Sequence, residues 1–293
     1  MWQSLKIVNR YYWKSLFGPG IMFILSVLML FVVTSCLDLG ALVKPFMAIP
    51  GIFCSMILLY GMLFIPVTIN DLRGSIVMKR ISSSRITTFQ FLLTLLIYYF
   101  VFTIISYLWY IAWGFLIFVN KINEYINALQ MINIGSLLYA TLISYLLSVF
   151  FGFFVLIFTK RNYVVCIVAF IFLIYGLAFA TYIAPIALVH NLTIIPGSTT
   201  DYRATDLYYF VYIDPFWFTT SMSYEAFFSQ PSYVYNILGS SIFNPTVNLE
   251  LVFANALRIG LTHTDKWLNL FVPLVLIVVL ELCDVEWFKW NIR

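Results

Sequence analysis

Between Ile69 and Phe89 the chain reads I-N-D-L-R-G-S-I-V-M-K-R-I-S-S-S-R-I-T-T-F, and Asp71, Arg73, Lys79, Arg80 and Arg85 give that stretch a net charge of +3. Clustered cations with one carboxylate and no nucleophile do not make a catalytic centre. They pair with acidic groups on another surface or with anionic headgroups. Gly74 permits a close backbone approach and costs roughly 1 kcal/mol of helix stability relative to alanine, so its place in a helix-prone segment needs a reason. Asn70 or Asp71 can cap a short helix beginning there. The positive-inside rule alone accounts for Arg80 and Arg85 taken singly.

Other reactive side chains are scattered. No G-x-x-x-x-G-K-[ST] cradle for nucleotide phosphates and no H-E-x-x-H metal motif occurs, and the two histidines, His190 and His263, are far apart. Gly239-Ser240-Ser241 with His263 is better read as turn chemistry than as a hydrolase dyad. Cys36, Cys54, Cys166 and Cys283 form no CxxC pair and sit in or beside apolar blocks, as buried free thiols do. Neither a metal site nor a catalytic group is expected, and nothing points to nucleic acid. Asn191-Leu192-Thr193 fits a glycosylation sequon, a triplet that also arises by chance.

The elements that position these residues follow from composition. Of 293 residues, 63% are hydrophobic and 10% charged, against about 45–50% and about 25% in a soluble domain. Such a chain cannot cover a water-facing surface. The expected fold is an all-α integral membrane protein, one permease-like domain over 1–293. Six apolar runs are long enough to span: about 19–37, 46–69, 89–119, 133–159, 163–189 and 267–283. No small-x-small cleavage site follows the first run, which is expected to remain in the mature chain.

Residues 1–17 should form an amphipathic interfacial helix. Trp2, Leu5, Val8 and Tyr12 fall on one face, with Lys6, Arg10 and Lys14 on the other and Trp13 as a further interfacial aromatic. Gly18-Pro19-Gly20 is then expected to break the chain before the first span. With the N-terminus inside, inner segments hold eleven of the sixteen lysines and arginines, which places both termini in the cytoplasm. Thr159-Lys160-Arg161-Asn162 is a tight inner turn joining antiparallel neighbours.

The outer connection, about 190–266, is aromatic and acidic. Short helices are expected there at the membrane interface, one over Asn248–Leu261, with the rings of Tyr208–Phe218 at headgroup depth. The spans hold no Asp, Glu, Lys or Arg before Glu281, and Pro50, Pro66, Pro185 and Pro273 interrupt them near their ends. Ion-coupled carriers place ionisable groups or broken helices near the midplane. A carrier lacking both that relay and a nucleotide cradle has to borrow its energy. Ser26, Thr34, Ser55, Tyr60, Tyr175 and Thr181 could line a path or simply pack helices.

The layout resembles the type-2 ABC exporter permeases. Three segments carry the resemblance: the helix Trp2–Phe17, the run Asp71 to Ser84 after the second span, and Ile213-Asp214-Pro215-Phe216-Trp217-Phe218 before the last. The usual proline near Ser83 or Ser84 is missing, and the outer loop is longer than the family's short re-entrant hairpin. The resemblance implies a bacterial cell-membrane permease that pairs with a second permease copy and a separate ABC ATPase. ATP and magnesium would be held by that partner, this chain binding no cofactor of its own. Asp71, Arg73, Gly74, Ser75, Met78, Lys79 and Arg80 would form the ATPase-coupling helix between spans two and three. Trp2, Lys6, Arg10, Trp13 and Lys14 belong to the interfacial helix beside it, and Asp214, Pro215, Phe216 and Trp217 to an outer gate. Amphipathic substrates such as drugs, lipids, peptides or glycans would suit it. Two other readings remain open on the residues: an ion-coupled secondary transporter, and a non-transporting membrane interaction or immunity protein whose outer loop binds a partner.

Overall fold

In the computed structural model, the residues described are 2–14, 17–36, 49–73, 88–130, 132–159, 161–178, 193–194, 202–203, 213–227 and 263–287. Almost all of them are helical. The amphipathic segment forms α1 (Trp2–Lys14). A helical path over 17–36, α2, joins a turn at Phe17–Pro19, a π segment Gly20–Leu25 and the α-helix Ser26–Cys36. The path over 49–73, α3, likewise runs Ile49–Leu58, a π segment Leu59–Phe64 and Ile65–Arg73. Then follow α4 (Thr88–Ile117), α5 (Ile122–Gln130), α6 (Ile134–Thr159) and α7 (Asn162–Ala178). Thr193–Ile194 and Tyr202–Arg203 pair as a small antiparallel ladder. The last two helices are α8 (Trp217–Phe227) and α9 (His263–Trp287).

Among the described residues, three helices have the length and apolarity to cross a membrane: Ile49–Asp71, Gln90–Ile117 and Ile134–Thr159. Three more apolar helices are shorter in their described parts, Met22–Val32, Asn162–Leu177 and Trp267–Cys283. All six fall on the apolar runs read from the sequence. Outward-facing Ile24, Leu28, Phe31, Ile171, Ile174, Val275 and Val278 are half or more exposed, or nearly so, as side chains facing lipid are.

Three sequence expectations are corrected. Gly18-Pro19-Gly20 does not break the chain, because Pro19 has φ −58° and sits in the first turn of α2, where the missing N–H had no partner to lose. Pro66 lies within α3, not at its edge. The π segment Leu59–Phe64 directly before it relaxes the ladder where the proline ring would press on a preceding carbonyl. Pro273 lies well inside the 25-residue α9.

α6 is the centre of the assembly, touching α3, α7, α8 and α9. Small residues make that approach possible. A Cβ on Gly61 would land on Ser148 Oγ, and one on Gly152 would collide with the backbone of Met62 and the ring of Pro66. α1 packs on α4.

Candidate functional site

α1 meets the bundle along one face, with Tyr12 at its centre. Val8 and Tyr12 are fully buried while Lys6, Arg10, Trp13 and Lys14 are exposed, the division that the helical spacing demands. The Tyr12 ring stands edge-on to Tyr60 and Phe64 of α3 and Tyr98 of α4, and lies 4.7 Å from Phe102 of α4. Burial pushes the Tyr12 hydroxyl up to about 12, so it stays neutral in its aromatic setting. One turn earlier, Asn9 Oδ1 accepts a 2.6 Å bond from Tyr98 Oη. α1 is thereby fixed to both helices that flank the basic connection. The side chain of Trp2 lies outside the described residues.

The basic connection itself is described only at its start. Asn70, Asp71 and Arg73 do not open a new helix. They are the last turn of α3, so the expected N-cap at Asn70 or Asp71 is replaced by a role at a helix end. Gly74, Ser75, Met78, Lys79 and Arg80 lie outside the described residues.

At that end a polar knot joins α7 to α3. Asn162, the first residue of α7, accepts a bond from Asn70 Nδ2 on its Oδ1 at 2.7 Å and donates from its Nδ2 to Asp71 Oδ1 at 2.8 Å. One amide thus uses both ends on consecutive residues of α3. Tyr11 of α1 is close enough to Asp71 for the carboxylate, after burial, to raise the phenol above its ordinary value. Arg161 beside the knot donates to Tyr163 Oη. The sequence pointed to 159–162 as a tight connection, and α6 ends at Thr159 and α7 begins at Asn162, but it gave no sign that Asn162 reaches back to α3.

The second constellation is α8. Its aromatic start, expected at headgroup depth, is packed inside the bundle: Asp214, Phe216, Trp217, Phe218, Thr219 and Thr220 are buried. Phe216 packs against Phe151 of α6 and Phe172 of α7 at 5.8 and 5.9 Å. At the other end, the Ala226 carbonyl accepts a bond from Asn133 N, just before α6 begins. α8 therefore lies antiparallel along α6. Its eleven residues carry Phe216 about 16 Å down from the Asn133 end.

Asp214 shapes the turn at that buried end. Its Oδ1 accepts from the Phe216 amide at 2.9 Å and its carbonyl from Trp217 N at 3.1 Å, an Asx turn that starts the helix. Tyr175 of α7 is within electrostatic reach of the carboxylate. Further along α8, Cys54 Sγ of α3 donates to Ser223 Oγ at 3.1 Å and Asn269 Nδ2 of α9 to Ser221 Oγ at 3.0 Å. The helix is stitched to three neighbours.

Ser26 and Ser55, read as path candidates, are buried and bond to their own helices through Met22 O and Ile52 O. Tyr60 belongs to the aromatic cluster around Tyr12. The Asn248–Leu261 segment, Gly239-Ser240-Ser241 and His190 lie outside the described residues. No group of three His, Cys, Asp or Glu able to hold a metal occurs among the described residues. No family model, curated protein or solved structure matches the chain.

Proposed function

We propose that the chain is the membrane permease subunit of an ATP-driven exporter, with six spans, both termini cytoplasmic, and a separate ABC ATPase docked on the basic connection. The observation that carries this reading is the attachment of α1 to α3 and α4 through Tyr12. A force applied at residues 74–87 would reach α3, α4 and the interfacial helix as one unit. The knot at Asn162 extends that unit to α7. The layout adds support: an amphipathic helix before the first apolar helix, and the Asp-Pro-aromatic segment Asp214–Phe218 before the last, both resemble the type-2 exporter permeases. Two copies would then enclose a path, and the buried start of α8 at Asp214–Trp217 would be its gate.

The test is copurification followed by charge reversal. The chain, expressed with its native gene neighbours, is expected to retain an ATPase subunit through detergent extraction. Arg73→Glu or Gly74→Pro should release that subunit or uncouple it at least tenfold. Substrate movement that follows an ion gradient in vesicles free of any ATPase would overturn the proposal.

One observation favours the ion-coupled reading instead. Asp214 is a fully buried carboxylate at the start of α8, about one helix length (~16 Å) from the Asn133 end, and an ionisable group buried among apolar helices is a functional candidate by default. Asp214→Asn keeps the Asx turn, since an amide oxygen accepts the same bond. Under the exporter reading this variant transports normally. Under ion coupling it folds but loses gradient-driven transport.

A further inference from the structure

Three phenol hydroxyls meet where α1, α3 and α4 join. Tyr12 of α1, Tyr60 of α3 and Tyr99 of α4 are each completely buried. Their ring centroids lie 6.4, 5.7 and 5.6 Å apart, all edge-on or tilted, as aromatic pairs prefer. That packing fixes where each oxygen stands. None of the three oxygens has a hydrogen-bond partner among the described residues. Nearby hydroxyls close on carbonyls instead: Tyr145 Oη donates to Leu96 O and Thr103 Oγ1 to Tyr99 O, both at 2.9 Å. A buried hydroxyl left unpaired forfeits the bonds it made to water in the unfolded chain, so three at one joint need an explanation.

The three share one neighbourhood. The Tyr12 and Tyr60 hydroxyls approach each other without reaching bonding geometry. Tyr60 is also within electrostatic reach of Tyr99, and Thr68 sets a further buried hydroxyl beside Tyr99. The rings packed around Tyr12, Phe64 and Phe102 among them, bring no charge. Each phenol offers one donor and an acceptor oxygen. A cation would satisfy the oxygens and strand the hydrogens, and an anion would do the reverse. Water is the smallest ligand that serves both, and a buried water makes about three hydrogen bonds, the number of hydroxyls that lack a partner here.

We propose that the joint of α1, α3 and α4 is a buried water site, its water held by the hydroxyls of Tyr12, Tyr60 and Tyr99. Tyr60 lies in the π segment Leu59–Phe64, a departure from the α ladder that recurs at functional sites. The rings hold α1 on the bundle, and a bridging water lets the spacing of the three helices change without stranding a phenol. The site rests on the packing of these helices and not on coupling to an ATPase.

The test is synchrotron hydroxyl-radical footprinting of the detergent-purified full chain, read by mass spectrometry, in which bound water oxidises the side chains that hold it. After correction for intrinsic reactivity, Tyr12, Tyr60 and Tyr99 should oxidise at least threefold faster than Phe91 of α4, which is also buried. Thermal unfolding in detergent supplies the second readout. Tyr12→Phe, Tyr60→Phe and Tyr99→Phe should each lower the unfolding temperature by about 2–4 °C, because the water loses a partner. The triple variant removes the water together with every group that needs it, and should unfold no lower than the single variants. Oxidation no faster than that of Phe91 would overturn the site. So would single variants that unfold at higher temperature, which would show dry, unpaired hydroxyls, or losses that add up in the triple variant. The footprint uses the wild-type chain and stands even where a variant fails to fold. No nucleotide or transport enters these readouts, so their failure leaves the exporter reading untouched.

Discussion

At the residue scale, Asn162 and Tyr12 carry more structure than their types announce. Asn162 satisfies both ends of its amide on Asn70 and Asp71, so it ties α7 to α3 at the end nearest the basic connection. Asn162→Ala should cost about 0.5–1.5 kcal/mol, because the half-buried Asn70 amide loses its partner while Asp71 is exposed and regains water. Asn162→Asp should cost more, since a second carboxylate would face Asp71. Thermal unfolding in detergent reads both, and an Asp variant as stable as wild type would show that the knot is not held by the amide N–H. Tyr12→Ala should cost about 3–5 kcal/mol, the range for deleting a buried aromatic, and should expose α1 to protease. The spacing of Lys6, Arg10 and Lys14 already fixed which face of α1 is wet, and hence that Tyr12 is buried. Nothing local could reveal Asn162, because its partners lie 91 and 92 positions away and each member is a common polar residue at a helix end.

At the element scale, the apolar helices were legible and α8 was not. Runs of Leu, Ile, Phe and Val located α4 and α6 within two residues, since twenty or more apolar residues have one cheap arrangement in a bilayer. α8 reads W-F-T-T-S-M-S-Y-E-A-F, a sequence polar enough to suit an interface. It enters the core because its hydroxyls are satisfied within the helix: Thr219 and Thr220 donate to the Phe216 carbonyl and Ser223 to that of Thr219. Polarity that closes on its own backbone carries little burial penalty. The Asp-Pro-aromatic segment therefore signalled a turn but not its burial. The contact between α3 and α6 depends on absent side chains in the same way. Gly152→Val should cost more than the usual ~1–3 kcal/mol of overpacking, because the new atoms meet the Met62 backbone, which cannot swing aside as a side chain can. A loss below 1 kcal/mol in detergent unfolding would mean that α3 and α6 are free to part.

At the scale of the whole molecule, the helices order the chain about one axis. α6 runs 26 residues, about 39 Å, more than the ~30 Å of a hydrocarbon core. Its two ends therefore stand in different aqueous compartments if the bundle spans a bilayer. The Thr159 end carries Asn162 and the knot with Asp71, and Tyr11 of α1 lies within reach of that carboxylate. Lys6, Asp71 and Arg161 consequently share a side. The Ile134 end carries Asn133, bonded to Ala226, and α5, where Asn123 and Asn127 are exposed. Cysteines placed one at a time should follow that division in a background where Cys36, Cys54, Cys166 and Cys283 are serine. Lys6→Cys and Arg161→Cys should react with a membrane-impermeant maleimide only after spheroplasts are broken, and Asn123→Cys and Asn127→Cys in intact spheroplasts. The proposed orientation follows the lysine and arginine distribution, so reversed labelling would overturn the orientation but keep the spanning bundle. Labelling of all four positions from one side would overturn the bundle itself, and with it any path through the membrane.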